Sequence, residues 1–183
     1  MRSNKPEQLY HVSDQAGITL FEPRPPTPHR PHDIQRPVVW AIADRLLHNY
    51  LLPRECPRVT FYARSDSDPA DVARLMGQTA ARHIVAIESD WLATVRTTVL
   101  YLYEFLGEGF NEIDYGAGYY VCETAVTPQA VRRVDDLLGE LVTRDVELRV
   151  TPSLWPLRDA VLASSLQFSF IRMRNARSRP DAV

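Results

Sequence analysis

The segment Asp114-Tyr-Gly-Ala-Gly-Tyr-Tyr-Val-Cys-Glu-Thr-Ala-Val-Thr-Pro128 joins a turn with two glycines to a strand of aromatic and β-branched residues. Glycines permit the tight turn, and aromatic and β-branched side chains favour an extended chain. A single carboxylate, Glu123, comes near the end of that strand. We therefore expect the segments before this strand to bring a pocket to Glu123, and those after it to close the domain.

The composition is that of an ordinary globular protein. The chain has 183 residues, of which 45% are hydrophobic and 24% charged, so we expect one soluble domain over 1–183. No apolar run approaches the roughly 20 residues that span a bilayer, and the N-terminus lacks the apolar segment of a signal peptide. These features predict a cytoplasmic protein with no membrane partner. A net charge of −2 disfavours nucleic acid as a partner, and nothing indicates the oligomeric state.

Predicted strands outnumber predicted helices and come in neighbouring runs instead of alternating with helices. This order favours an α+β fold with a mixed, largely antiparallel sheet, whole or split, flanked by helices. The predicted strands are Leu9–Val12, Pro37–Ile42, Arg58–Tyr62, His83–Glu88, Thr97–Phe105, Tyr119–Glu123, Val146–Val150 and Gln167–Met173, and Ile18–Phe21 is predicted to be a short extended segment. The predicted helices cover Asp44–Leu52, Pro69–Met76, a short turn at Trp91, Thr127–Arg144 and Leu157–Leu162.

The proline-rich segment 22–37 is predicted to be a loop, because proline removes backbone donors and disfavours helix. It would act as a lid, as a connector or as a docking segment for a partner protein. His29 and His32 form a close histidine pair in this loop, but a metal site needs a third ligand and a rigid frame, so we predict no metal. The C-terminal tail is expected to fray from about residue 177.

Several catalytic signatures are absent from the sequence. It contains no glycine-rich phosphate loop, no dinucleotide-binding glycine pattern and no nucleophile elbow. Cys56 and Cys122 have no metal or redox spacing, and we expect both to be reduced core residues. Classical nucleotide triphosphatases, Rossmann dehydrogenases and α/β-hydrolases are therefore poor candidates.

Two residues, His11 and Glu123, remain as candidates for a catalytic or binding role. His11 lies two residues before Ser13 in the first predicted strand, where a neutral imidazole can offer a donor and an acceptor to ligand hydroxyls. Glu123 is placed to bind a ribose diol or to stabilise a developing cation, and Tyr119 or Tyr120 would flank the pocket. The alternatives are a histidine of the core or sheet edge and an exposed strand carboxylate.

Five blocks of the sequence resemble an uncharacterised bacterial family, a domain of unknown function. The blocks are Leu9-Tyr-His-Val-Ser-Asp-Gln-Ala-Gly-Ile18, Val38-Val-Trp-Ala-Ile42, Pro53-Arg-Glu-Cys-Pro-Arg-Val59, Gly118-Tyr-Tyr-Val-Cys-Glu-Thr-Ala-Val-Thr-Pro128 and Phe168-Ser-Phe-Ile-Arg-Met-Arg-Asn-Ala176. This resemblance covers nearly the whole chain and implies no activity by itself.

The order of the blocks also resembles the ADP-ribosyltransferase-like fold. In that superfamily a first strand carries a Tyr-His or Tyr-Arg pair, a second strand and its helix supply an aromatic residue, and a later strand supplies a glutamate. Tyr10-His11 matches the first element, Trp40 or Tyr50 the second and Glu123 the third. Val121 departs from the paired glutamates that toxin-type members often carry at this spacing.

The resemblance implies an NAD- or ADP-ribose-binding protein that transfers an ADP-ribosyl or related group. Glu123 would be catalytic, and the nucleotide would be held by Tyr10, His11, Ser13, Trp40, Tyr50 and Tyr119. NAD would be a substrate, and no cofactor would be required. The sequence does not decide between this enzyme and a non-catalytic module that binds a nucleotide or peptide, or an interaction protein that uses the proline-rich loop.

Overall fold

The computed structural model describes residues 8–25 and 34–179, which form two compact units. The first unit comprises the chain up to Leu47 together with Leu100–Val134. The second comprises His48–Val99 together with the chain from Asp135. Each unit contains one β-sheet. The assignment of 1–183 to a single domain stays a prediction.

The secondary structure of the described residues is α+β, as predicted. The strands are β1 Gln8–Ser13, β2 Val39–Ala43, β3 Arg58–Tyr62, β4 His83–Glu88, β5 Leu100–Leu106, β6 Asn111–Asp114, β7 Tyr119–Cys122, β8 Ala130–Val134, β9 Val146–Thr151 and β10 Gln167–Ile171. The helices are α1 Pro69–Asp71 with its continuation Val72–Met76, α2 Leu92–Thr97, α3 Leu137–Val142 and α4 Trp155–Leu162, and 3-10 helices cover Asp44–Tyr50, Ser89–Trp91 and Met173–Asn175. None of these helices is long and apolar enough to cross a membrane.

The sheet of the first unit is antiparallel throughout, with the strand order β6-β7-β2-β1-β5-β8. Strand β1 pairs with β5 along its whole length, but its ladder with β2 is limited to Leu9 and Tyr10. Side chains alternate between the two faces of a strand. One face of this sheet buries Leu9, Tyr103 and Phe105 in a common apolar cluster.

The segment after β1 covers that apolar face without forming a strand. The Tyr103 hydroxyl donates to the Gln15 carbonyl at 2.7 Å and accepts from the Ile18 amide at 3.1 Å. Phe21 packs edge-on against Tyr103 and makes an isolated backbone bridge to Val126. The segment predicted to be extended over Ile18–Phe21 contacts the sheet through the Tyr103 hydroxyl and the Phe21 bridge, and not through a continuous ladder.

The sheet of the second unit has the order β10-β3-β4-β9, with β4 and β9 parallel and the other pairs antiparallel. One face buries a cluster that includes Val59, Phe61, Ile84 and Ala86, against which Val161 of α4 also packs. The two sheets together confirm the mixed, largely antiparallel and split arrangement.

The helix predicted over Thr127–Arg144 is confirmed over Leu137–Val142 and wrong over its first half. Its first half is β8, which hydrogen-bonds to β5 and leaves Val131 53% exposed. Helix α3 starts only after Asp136, whose carboxylate accepts from the Gly139 amide at 2.9 Å. The apolar spacing suited a helix, but pairing with β5 satisfies the backbone of the first half, and the Asp136 cap fixes a later start.

Two further boundaries differ from the predictions around β5. The strand predicted from Thr97 begins at Leu100, because Thr97 ends α2 and its hydroxyl donates to the Ala93 carbonyl. The short edge strand β6, which lies between the Gly107–Gly109 turn and β7, was not predicted.

The C-terminal tail is tied down over residues 177–179. The buried carboxylate of Glu88 accepts from the Arg177 amide at 2.9 Å and from the Leu154 amide at 3.2 Å. The Arg177 guanidinium pairs with Asp90, and the Trp155 indole donates to the Arg177 carbonyl. Residues 180–183 lie outside the described residues, as do 26–33 of the proline-rich segment. The docking hypothesis for that loop therefore stays a prediction.

Replacing Gly118 by alanine is expected to destabilise the first unit more than the same change at Gly17. Both glycines have a positive φ, of 69° and 72°, which disfavours any side chain. A Cβ at Gly118 would also lie 3.1 Å from Leu46 Cδ1, whereas one at Gly17 meets no heavy atom within 4 Å. We expect Gly118→Ala to lower the unfolding free energy by about 2–3 kcal/mol and Gly17→Ala by about 1 kcal/mol, measured by urea denaturation. Equal losses would contradict the steric contact.

Candidate functional site

The first strand places His11 on the apolar face of its sheet. His11 lies opposite Tyr103 in the β1–β5 register, and its ring packs against Phe21 with the centroids 4.8 Å apart. Its Nδ1 lies 3.0 Å from the Trp40 carbonyl, so Nδ1 carries the proton and donates. This bond joins β1 to β2 beyond the point where their backbone ladder ends. His11 therefore helps to hold two strands together.

Three other predicted ligand-binding residues lie on the opposite face of the same sheet. Tyr10 faces Ile42 across β1 and β2, and Ile42 in turn faces Tyr119 across β2 and β7. Trp40 packs edge-on against Tyr119, with ring centroids 5.7 Å apart. Alternation along the strands thus brings Tyr10, Trp40 and Tyr119 to one face and His11 to the other.

The remaining predicted residues are more dispersed. Glu123 directly follows β7, and its exposed carboxylate forms an ion pair with Arg36 at 2.7 Å. The Ser13 hydroxyl accepts from the Gln15 amide at 3.0 Å. Tyr50 ends the 3-10 helix and belongs to the second unit, whereas the other predicted residues belong to the first.

The second unit contains a cleft that sequence reasoning missed. It is an open cavity of about 440 Å³ beside the end of β3 and the start of β4. Its wall combines apolar and polar side chains. Its lining residues include Tyr62, Val72, Met76, Thr79, Arg82 and His83.

The His83 ring is packed between two other rings. The ring centroid of His83 lies 4.7 Å from that of Tyr62 and 4.2 Å from that of His48. His48 is 3% exposed. His83, which lines the cleft, thus packs against the buried imidazole of His48.

Both imidazoles are neutral at physiological pH. Burial, followed by the charges of His83 and Arg144, lowers the pKa of His48 to about 3. Burial and then the Arg82 guanidinium lower the pKa of His83 to about 4. A neutral imidazole carries one hydrogen-bond donor and one acceptor, so His83 can offer both to a ligand.

Charged groups stabilise two of the segments that line the cleft. A hydrogen bond from Thr79, and then one from Arg149, lower the pKa of Glu147 below its usual value. The Arg149 guanidinium also donates to the Leu75 and Met76 carbonyls at 2.6 and 2.8 Å, which caps the end of the helix after α1. This arrangement holds the helix end and the Thr79 loop in place around the cavity.

The sequence indicated the cleft only weakly. Tyr62 and His83 come at facing ends of two predicted strands, which places them together if those strands pair. The contact between the His48 and His83 rings depends on how the 3-10 helix packs, and sequence spacing does not reveal that packing.

Neither a metal centre nor a reactive thiol is found in the part of the chain that the structure describes. In residues 8–25 and 34–179, no group of three or more His, Cys, Asp or Glu side chains is arranged to hold a metal ion. The histidine pair His29 and His32 lies outside these residues. Cys56 and Cys122 are free and buried, as predicted. Burial raises the pKa of Cys56 to about 12, which keeps it protonated and unreactive.

Comparison with known proteins identifies the family but no activity. The model of a family of unknown function (DUF6886) matches residues 10–176, and the chain belongs to that family. No curated protein and no solved structure matches the chain. Similarity to ADP-ribosyltransferases and a bacterial origin stay predictions.

Protonation of the buried histidines is expected to destabilise the protein in acid. Because the pKa of His48 is lower in the folded chain than its ordinary 6.5, the unfolded chain binds a proton first as the pH falls. Between about pH 7 and about pH 5, His48 alone should lower the unfolding free energy by about 2 kcal/mol. His48→Phe keeps a ring but removes this loss, and urea denaturation at both pH values measures the difference. Parallel declines of the unfolding free energy in the two proteins would contradict the low pKa of His48. The interval from about pH 7 to about pH 8 is the control, because the histidines titrate little there.

Proposed function

We propose that this member of the DUF6886 family binds a small molecule of the nucleotide class in the cleft of its second unit. The observation that carries the proposal is the His83 ring, which lines the cavity of about 440 Å³ and packs between Tyr62 and His48. Cavities of about 300–1,000 Å³ with a few convergent polar groups are typical of ligand sites.

The cleft wall matches the mixed chemistry of a nucleotide. Val72 and Met76 supply an apolar surface for a flat ring. Arg82 supplies a positive charge that attracts a phosphate. Its ion pair with Asp145 is long, at 3.8 Å between highly exposed side chains, so a ligand phosphate can compete with it. Neutral His83 suits ribose hydroxyls, which both donate and accept hydrogen bonds.

A second candidate is ADP-ribosyl transfer with NAD as the substrate and Glu123 as the catalytic residue. The observation that favours it is the exposed Glu123 carboxylate at the end of β7, a strand that also carries Tyr119 against Trp40. In this reaction the glycosidic bond between ribose and nicotinamide breaks and nicotinamide leaves. A nucleophilic atom of the acceptor bonds to the same ribose carbon and loses a proton. Glu123 would stabilise the cationic ribose in between, once Arg36 is displaced. His11 would position β2 through the Trp40 carbonyl.

Arg82→Gln is expected to weaken the binding of phosphate-bearing ligands about tenfold, because a charge-assisted hydrogen bond is lost. Titration calorimetry with AMP, ADP-ribose and NAD measures the affinities. Arg96→Gln is the matched control, since Arg96 is an exposed arginine on α2 that does not line the cleft. If none of these ligands binds the parent protein, the binding proposal fails.

Glu123→Gln is expected to leave NAD affinity within about twofold and to abolish nicotinamide release, because the amide keeps the shape but loses the charge. Chromatographic assay of free nicotinamide measures turnover, and exposed Glu108 provides the matched control variant Glu108→Gln. The transferase candidate is refuted if the parent protein releases no nicotinamide.

A further inference from the structure

Three buried polar atoms on neutral side chains of the second unit have no hydrogen-bond partner among the described residues. They are His48 Nε2, Asn49 Oδ1 and Thr60 Oγ1. Their residues are 3%, 5% and 1% exposed, respectively. Folded proteins satisfy the large majority of buried polar atoms, so several such atoms in one region require an explanation.

The three residues adjoin the wall of the cleft. Thr60 lies two residues before Tyr62 on β3, and alternation puts both on the face that also carries His83. The His48 ring packs against the His83 ring in a tilted arrangement, and Asn49 is the next residue of the same 3-10 helix. His48 is therefore in contact with a cleft residue, Thr60 lies two residues from one along β3, and Asn49 adjoins His48.

The chemistry of these groups suits a neutral guest with both donors and acceptors. The Asn49 oxygen accepts, the Thr60 hydroxyl does either, and a neutral His48 does either according to its tautomer. Burial holds His48 uncharged, and the buried cation on this face, Arg58, already donates to the Pro53 and Cys56 carbonyls. The edge of a neutral heterocycle, which carries both donors and acceptors, would satisfy the three groups without bringing a further charge into this buried region.

We propose that the cleft continues past His83 into an inner subsite, formed by His48, Asn49 and Thr60, that binds the hydrogen-bonding edge of a nucleobase or nicotinamide-type ring. The phosphate of the same ligand then lies at the mouth, beside Arg82. The His83 ring separates the two regions and contacts the sugar. This inference rests on the proposed nucleotide binding and adds that the heterocycle, and not the phosphate alone, determines affinity.

The test compares ligands with and without a base, on parent protein and on two variants of Thr60. The ligands are AMP, GMP, CMP, UMP, NAD and ribose 5-phosphate, measured by titration calorimetry. At least one base-bearing ligand should bind the parent protein ten or more times more tightly than ribose 5-phosphate, on the order expected for one or two buried hydrogen bonds. Thr60→Val keeps the side-chain shape and removes the hydroxyl, so it should reduce this preference several-fold. Thr60→Ser keeps the hydroxyl and should preserve it.

The outcomes separate failure of the subsite from failure of the binding function. Equal affinity of the parent protein for ribose 5-phosphate and the base-bearing ligands overturns the inner subsite and leaves anion binding intact. An unchanged preference in Thr60→Val also overturns the inner subsite. Lack of binding by every ligand overturns the nucleotide proposal and this inference with it.

Discussion

Desolvation of two imidazoles is the constraint on which the cleft of the second unit depends. His48 and His83 lie 4.2 Å apart by ring centroid, in surroundings where a charged imidazole is disfavoured. Two protonated rings at this distance would repel each other, and burial would strengthen that repulsion. Neutrality of both rings therefore favours this contact, and the same neutrality gives His83 its dual donor and acceptor character toward a ligand.

The first unit is organised differently, around the full-length pairing of β1 with β5. That pairing places Tyr103 where its buried hydroxyl binds the chain segment that follows β1. Because strand alternation assigns His11 to the covered face, it acts between β1 and β2 and lies away from Tyr119 and Trp40. Any nucleotide chemistry at Glu123 would therefore use the face of Tyr10, Trp40 and Tyr119, with His11 supporting it through the backbone.

Family membership and the structure of the chain provide different information about function. Membership of a family of unknown function covers residues 10–176 and brings no activity with it. The two sheets, the histidine cleft and the exposed carboxylate at Glu123 therefore carry the functional proposals on their own chemistry. A fold can host unrelated activities, so these proposals depend on particular side chains and not on the architecture.

Local sequence determined most of the strands, because β-branched and aromatic runs such as Arg58–Tyr62 and His83–Glu88 favour an extended chain wherever they are placed. It also indicated the α+β class, the reduced buried cysteines and a carboxylate at the end of β7. Only the tertiary structure decided that residues 130–134 pair with β5, since a partner strand distant in sequence satisfies their backbone and overrides helical spacing. Tertiary packing also formed the cleft, because the contact between His48 and His83 joins residues 35 positions apart. Burial sets the charge of both rings, and sequence spacing does not encode burial.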